Sequence, residues 1–173
     1  MSKTIDRFEA EVLPCLDAAY NLARWLVRDE HAAEDVVQDS YVRALRYFDS
    51  FRGGEVRPWL LGIVRNRCYS WFDEQKRQRE VECADDDADA PDLDGEDRVQ
   101  TPETLLLRKV ERAQVTAAIA RLPVPFREVL VLREMEEMSY EDIARMMDIP
   151  KGTVMSRLSR ARRLLHGYLS DNR

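Results

Sequence analysis

The sequence predicts an all-α protein with two small helical domains joined by a flexible acidic linker, the C-terminal domain containing a helix-turn-helix. Apolar residues recur at steps of three and four along most of the chain, and no segment alternates with a period of two. Between residues 80 and 103 the composition changes abruptly, to eleven acidic residues against one basic residue. Near the C-terminus, two short helical segments flank a tight break.

The acidic segment sets the domain boundaries. It contains two prolines, one glycine and almost no large apolar residue, so burial cannot offset the entropy of ordering it. The predicted organisation is an N-terminal domain at 1–80, a linker at 81–102 and a C-terminal domain at 103–173. The segment carries a formal charge of −10, whereas the whole chain carries −6. The rest of the chain therefore carries +4. This asymmetry favours a nucleic-acid partner.

Composition also excludes several classes of protein. The sequence has no signal peptide pattern and no run of 18 apolar residues, so we expect a cytoplasmic protein without membrane insertion. Its three cysteines are widely spaced without a CxxC pair, and only two histidines accompany them. We therefore expect reduced thiols, no metal site and no cofactor.

Three helices are predicted in the N-terminal domain. The first covers residues 8–27, and Pro14 is expected to bend it. Asp29 can cap the second, which continues to residue 47. The third covers 57–79, with a proline tolerated in its first turn.

The second helix has two distinct sides. Its predicted buried side consists of Val36, Val37, Ser40, Tyr41, Ala44, Leu45 and Phe48. Its predicted outer face consists of Asp35, Gln38, Asp39, Val42 and Arg46. A valine among exposed polar residues suggests a surface that meets another protein.

The third helix is rich in aromatic and basic residues. One face carries Trp59, Ile63, Asn66 and Ser70, flanked by Arg65, Arg67, Lys76, Arg77 and Arg79. Such a face suits unstacked single-stranded bases, since rings stack on bases and an amide can bond to base edges. For Trp59 a role in the core is an equally supported alternative, and for Trp71 the core is preferred.

Four helices are predicted in the C-terminal domain. They cover 103–121, 126–135, 140–147 and 151–169. Ser139 can cap the third by accepting from the amide of Asp142, whose carboxylate can reach back in a capping box. The last two helices, with the tight break between them, have the geometry that places a second helix in the DNA major groove.

The final helix separates an apolar stripe from a basic face. The stripe consists of Val154, Leu158, Ala161, Leu165 and Leu169. The opposite side carries Thr153, Ser156, Arg157, Ser159, Arg160 and Arg163. No acidic residue occurs between 152 and 167, although a merely solvated face would normally include some. Arginines mixed with short hydroxyls predict DNA reading.

At these segments the sequence resembles bacterial RNA polymerase sigma factors of the extracytoplasmic-function branch. The N-terminal similarity lies in DVVQDSYVRA (35–44), FR (51–52), RPWL (57–60) and IVRN (63–66). The C-terminal similarity lies in LP (122–123), FREV (126–129), YEDIA (140–144) and IPKGTVMSR (149–157). The order and spacing of these motifs cover most of the chain outside the linker.

The resemblance implies a function for each surface. The outer face of the second helix, Asp35, Gln38, Asp39, Val42 and Arg46, is expected to dock on core RNA polymerase. The minus-ten promoter element is expected to contact Phe51, Arg52, Trp59, Ile63, Asn66, Arg67 and Ser70. The minus-thirty-five element is expected to contact Lys151, Thr153, Ser156, Arg157, Ser159, Arg160 and Arg163.

The resemblance also implies partners and shows departures from the family. Core polymerase, promoter DNA and an anti-sigma factor are the expected partners. Gly62 and Met155 stand where relatives often carry a larger and a basic residue, respectively. The acidic linker is equally consistent with a nucleic-acid mimic and with a solvated tether.

A stand-alone helix-turn-helix regulator is the alternative. It accounts for the C-terminal half but gives no use for the aromatic third helix or for the outer face of the second. No enzyme is expected, because the sequence has no phosphate-binding loop, no metal-ligand spacing and no nucleophile–histidine arrangement.

Overall fold

In the computed structural model, residues 2–82 and 102–171 are described, and both parts are helical. The N-terminal part contains α1 (Ser2–Val12), α2 (Leu16–Val27), α3 (Glu30–Tyr47) and α4 (Val56–Glu82). A short 3-10 turn, Leu13–Cys15, separates α1 from α2, because the ring of Pro14 is incompatible with one continuous helix. The predicted bend is therefore confirmed.

The C-terminal part contains α5 (Pro102–Arg121), α6 (Val124–Leu130), α7 (Tyr140–Met147) and α8 (Lys151–Ser170). Between α7 and α8, Asp148 adopts a left-handed conformation with φ of 53°, which ends α7 sharply. The helix-turn-helix predicted from the sequence is present. Since α4 extends to Glu82, it runs two residues into the segment assigned to the linker, of which residues 83–101 lie outside the described residues.

Two side-chain caps begin helices where the sequence predicts them. Asp29 accepts a hydrogen bond from the amide of Ala32 at 2.7 Å, and Ser139 accepts from the amide of Asp142 at 3.1 Å. The return bond of the capping box differs from the prediction. The hydroxyl of Ser139 donates to the Asp142 carboxylate at 2.9 Å, so this carboxylate engages the side chain of the cap.

A single helix was predicted over residues 126–135, and the structure differs there. The α-helix α6 ends at Leu130 and continues as a π turn over Val131–Met135. The amide of Glu136 donates to the carbonyl of Val131 at 3.1 Å, a bond that spans five residues. The wider turn changes the direction in which the following glutamate points.

The buried apolar side chains form one cluster that includes residues of both domains. The N-terminal part contributes Phe8, Leu22, Leu26, Leu60 and Leu61, among others. The C-terminal part contributes Leu122, Leu132, Ile143 and Leu158, among others. The prediction for Leu45 is wrong. It was expected on the buried side of α3, but 42% of it is exposed, because it lies at the margin of that side.

Loss of the Asp29 cap should destabilise the protein. Asp29→Ala leaves one more amide of α3 without an intrahelical or side-chain acceptor, so we expect a loss of about 1 kcal/mol in the free energy of unfolding. Urea denaturation followed by circular dichroism measures it. The matched control is Glu34→Ala, an exposed residue of the same helix. Equal stability of the two variants would contradict the capping role.

Candidate polymerase and nucleic-acid interfaces

The outer face of α3 is open to solvent. Asp35, Gln38, Asp39, Val42 and Arg46 are all exposed, and the exposed fraction of Val42 is 56%. The apolar part of this face is larger than the sequence predicts, since Leu45, about 20° from Gln38 around the helix, is also exposed, at 42%. Apolar surface framed by carboxylates is typical of a protein-binding site.

Arg67 of α4 connects this face to the neighbouring one. Its Nε donates to Asp39 Oδ2 at 2.9 Å, and its Nη1 lies 3.3 Å from Glu74 Oε1. The hydrogen bond to Asp39 raises the pKa of Arg67 above its usual value. The structure therefore joins one predicted polymerase contact to one predicted minus-ten contact.

The aromatic face of α4 packs partly on the aromatic residues that precede the helix. Trp59 is half-buried, with its ring centroid 4.9 Å from that of Phe51 and 6.2 Å from that of Phe48. Trp59 is thus both packed on the core and partly accessible. This position is consistent with a role in the core and with stacking on a base. Ile63 is also half-buried, whereas Asn66 and Arg52 are exposed.

Ser70, the last residue of the aromatic face, is half-buried and donates its hydroxyl to the carbonyl of Asn66 at 3.1 Å. That bond uses the hydroxyl hydrogen and leaves its lone pairs as acceptors. The side chain of Asn66 makes no hydrogen bond to the described residues, so both its donor and acceptor groups face solvent.

The basic helix α8 presents the predicted face. Val154, Leu158 and Ala161 are buried against the domain, whereas Ser156, Ser159, Arg160 and Arg163 are exposed and Thr153 is half-buried. Ser156 donates its hydroxyl to the carbonyl of Thr153 at 3.1 Å.

The cations of α8 differ in their partners. Lys151 pairs with Glu141 of α7, and Arg162 pairs with Glu134. Among the residues with described side chains, Arg160 and Arg163 form no ion pair. These two arginines are therefore the cations of the face that can meet phosphate or a base edge without first breaking an internal pair.

Arg157 leads to a buried group that the sequence did not reveal. Its Nη1 lies 3.9 Å from Oε1 of Glu128, a glutamate of α6 with no exposed surface. Arg65 of α4 holds the same carboxylate with two hydrogen bonds, from Nε at 3.0 Å and from Nη2 at 3.2 Å. Burial raises the pKa of Glu128, although the bonds from Arg65 oppose that effect.

The environment of Glu128 also perturbs its neighbours. Burial opposes the charged form of Arg65, but the hydrogen bonds and charge of Glu128 outweigh it and the pKa of Arg65 is raised. Burial and the charge of Glu128 raise the pKa of Tyr69 to about 12. The guanidinium carbon of Arg65 lies 4.5 Å from the centroid of the Tyr69 ring.

Three more hydrogen bonds join the N-terminal and C-terminal parts. Glu136 directly follows the π turn. It accepts hydrogen bonds from Arg57 Nη2 and from Asn21 Nδ2, both at 2.6 Å. Arg127 is 4% exposed and donates to the carbonyl of Leu26 at 3.1 Å, near the end of α2. Burial and the charge of Arg28 lower the pKa of Arg127 to about 10.

These contacts have no signature in the sequence, for a physical reason. In FREVLVLREM the charged residues read as the solvent side of an amphipathic helix, so Arg127 and Glu128 gave no sign of burial. Gly62 gave the one available signal, a glycine inside a long helix. An ideal Cβ there would lie 3.3 Å from Met146 Cγ, so glycine permits the close approach of α4 and α7.

No metal cluster or membrane span is found in the part of the chain covered by 2–82 and 102–171. No group of three or more His, Cys, Asp or Glu side chains there is arranged to hold a metal ion. None of those helices is long and apolar enough to cross a membrane.

Two protein families match the chain, one in the N-terminal domain and one in the C-terminal domain. Residues 12–78 match the family described as Sigma-70 region 2, and residues 112–165 match Sigma-70 region 4. The region 2 match contains the faces of α3 and α4, and the region 4 match contains the helix-turn-helix.

Individual relatives give the same result. The chain is 37% identical over 151 residues to the ECF RNA polymerase sigma-E factor of Haemophilus influenzae, covering 86% of this chain and 79% of that protein. It is 36% identical over 143 residues to the RNA polymerase sigma-H factor of Pseudomonas aeruginosa, covering 79% and 72%.

A solved structure extends the similarity to the arrangement of the domains. It is the sigma factor RpoE in complex with the anti-sigma factor NepR from Bartonella quintana. It superposes with a TM-score of 0.77 at 31% identity, covering 96% of this chain and 99% of that one. A stand-alone regulator would not account for the N-terminal half, whereas the match to Sigma-70 region 2 does. The stand-alone regulator is therefore not favoured. The chain therefore belongs to the extracytoplasmic-function branch of the RNA polymerase sigma factors, non-enzymatic proteins that direct promoter-specific initiation of transcription.

Proposed function

We propose that three surfaces of this sigma factor divide the work of initiation: α3 docks core RNA polymerase, α4 opens and reads the minus-ten element, and α8 reads the minus-thirty-five element. The observation that carries the assignment is that each surface is accessible on a different helix while the opposite side of that helix is buried. The domain limits proposed from the sequence, 1–80 and 103–173, are kept with it.

Docking is assigned to the outer face of α3. Exposed carboxylates beside Val42 and Leu45 offer both charge and apolar area to a basic protein surface. Arg46 lies on the same face and is exposed. None of these side chains is buried in the core, and Asp39 is the member of the face that is paired, with Arg67.

Asp35→Ala combined with Gln38→Ala should weaken the affinity for core polymerase by about tenfold or more, because both side chains lie on the docking face. Fluorescence anisotropy of labelled protein titrated with core enzyme measures the dissociation constant. Glu30→Ala removes an exposed carboxylate from the first turn of the same helix, 80° or more around the helix from both side chains, and should bind as the parent does. Parental affinity of the double variant would remove the face from the interface.

Promoter opening is assigned to the face of Trp59, Ile63 and Asn66. Half-buried apolar groups provide a firm wall for an unstacked base, and the exposed amide of Asn66 offers a donor and an acceptor to its edge. Arg52 and Phe51 lie on the loop before α4, and Arg67 and Ser70 lie further along it.

Asn66→Ala should slow open-complex formation on a duplex promoter far more than on a template with a premelted bubble, because its amide helps to hold an extruded base. The matched control, Gln78→Ala, removes an exposed amide further along α4. Stopped-flow fluorescence of a labelled promoter measures both rates. If Asn66→Ala behaves as the parent on both templates, the assignment fails.

Upstream recognition is assigned to α8. Arg160 lies opposite the buried Val154 and Leu158, so it is central in the proposed groove contact. Arg163 lies further along the helix, where a phosphate contact is favoured. Lys151, Thr153, Ser156, Arg157 and Ser159 complete the proposed surface.

Arg160→Ala should cost about 1–3 kcal/mol of binding and relax the preference at one base, since a forked contact to guanine is lost. Arg163→Ala should weaken binding to all sequences alike and shallow the salt dependence by about one counterion. Selection from randomised upstream elements at two salt concentrations separates them. Unchanged base preference in Arg160→Ala, with only its salt slope altered, would show that the recognition face is misplaced.

An anti-sigma factor and a cytoplasmic location complete the proposal. The support for the former is that the similar Bartonella quintana sigma factor was solved in complex with such a protein. The cytoplasm is where core polymerase and promoter DNA are found. The acidic segment is proposed as a connection between the domains.

A further inference from the structure

Helix α8 exposes one large apolar side chain, that of Met155. Half of its surface is accessible, at 50%, and it lies in the second turn of the helix. The other large apolar side chains of α8 are buried or half-buried. A single exposed apolar residue is ordinary on a protein surface, so a role for Met155 depends on where it lies and on what surrounds it.

Met155 lies at one edge of the face that α8 offers to DNA. At about 100° per residue, this groove face runs over about 140° from Met155 through Ser159 and Ser156 to Arg160. All four side chains are exposed, and the buried Leu158 lies on the other side of the helix. An α-helix fills a major groove about 12 Å wide, so the two edges of such a face meet the two walls of the groove.

The two edges of the groove face differ in charge. Beyond Met155, about 20° and 40° further around the helix, lie Arg162 and Lys151. Both are held by carboxylates of the same domain, Arg162 by Glu134 and Lys151 by Glu141. The other edge ends at an arginine that forms no ion pair with the described side chains. One edge therefore presents a cation, whereas the edge at Met155 presents an apolar group beside neutralised charges.

A methionine side chain matches one feature of the major groove. Among the four bases only thymine carries a methyl group at the groove edge, and the remaining groups there are hydrogen-bond donors and acceptors. The thioether of methionine is only a weak acceptor, but it packs well on apolar groups, and its three rotatable bonds let it adapt to them. The edge at Met155 is therefore complementary to thymine, as the edge at Arg160 is to guanine or phosphate.

We propose that Met155 is a specificity-determining residue, whose side chain contacts the C5-methyl group of a thymine in the minus-thirty-five element. Met155 precedes Arg160 by five residues, about 7.5 Å along the helix axis, so the thymine lies within about three base pairs of the base that Arg160 contacts. The inference rests on the proposed assignment of α8 to the minus-thirty-five element, and it adds one apolar contact to the hydrogen bonds proposed there.

Selection from randomised upstream elements tests the contact first. Holoenzyme assembled from core polymerase and the parent protein should enrich thymine at one position close to the base read by Arg160. Met155→Ala should lose the preference for thymine there and keep the preference at the neighbouring base. The matched control is Val110→Ala, which removes an equally exposed apolar side chain, at 51%, from α5 and should select as the parent does.

A single change in the DNA then isolates the methyl group. Deoxyuridine at the selected position pairs as thymidine does but lacks the C5-methyl, so the affinity of the parent holoenzyme should fall about fourfold, the value of one buried methyl or methylene group. Met155→Ala should bind both DNAs equally. Met155→Leu should keep the difference because its side chain is apolar, whereas Met155→Gln, of similar length but polar, should lose it. Competition against a fluorescently labelled promoter measures these affinities.

The outcomes separate this inference from the proposed function. Equal binding of the thymine and uracil DNAs by the parent would overturn the contact, and so would a difference that persists unchanged in Met155→Ala. If Arg160→Ala relaxes the selected sequence while Met155→Ala selects as the parent does, the inference about Met155 alone fails. If both variants select as the parent does, α8 does not read the upstream element, and the proposed function of this helix fails as well.

Discussion

Glu128 is a carboxylate with no exposed surface, and the arrangement of the two domains depends on how its charge is satisfied. A buried carboxylate without a cation is strongly unfavourable, and loss of one partner from such a pair typically costs about 3–5 kcal/mol. Its two hydrogen bonds come from Arg65, a residue 63 positions earlier in the chain. The C-terminal domain is thereby fixed on α4 in one orientation.

Several other contacts hold the two domains in the same arrangement as the pair of Glu128 and Arg65. The π turn before Glu136 directs a second carboxylate to Arg57 and Asn21 on the same side. Arg127, the neighbour of Glu128, donates to Leu26 near the end of α2, where helix carbonyls lack partners. An ideal Cβ at Gly62 would lie 3.3 Å from Met146 Cγ, so glycine makes the close packing of α7 on α4 easier. These contacts use polar groups of the N-terminal domain that the packing of α2 and α4 had already positioned.

Local features of this fold could be predicted from the sequence. Helix periodicity, the caps Asp29 and Ser139, and the break at Pro14 are set by neighbours in the chain, so patterns reveal them. The exposed faces of α3 and α8 follow from the same periodicity. Leu45 was misplaced because a residue at the margin of an amphipathic face is buried or exposed according to its neighbour helix, which periodicity does not specify.

The contact between the domains could not be predicted, because it depends on residues far apart in sequence. Glu128 and Arg127 have the same helical spacing as ordinary surface charges, and only the approach of α2 and α4 buries them. The π turn likewise arises where α6 must continue into a loop that reaches across to α4. The interpretation of Trp59 stayed open for a related reason: Phe48 and Phe51 support its ring while leaving part of it accessible.

The contact between the domains combines apolar packing with buried ion pairs, and these two kinds of interaction contribute differently. An interface built from large apolar side chains would expose all that area to water on opening, at about 25 cal/mol for each Å². An arginine–carboxylate pair behaves differently, since both ions regain hydration when they part and this gain offsets much of the lost attraction. The pairs at Glu128 and Glu136 therefore favour one geometry of contact, whereas the shared apolar cluster contributes most of the free energy of packing.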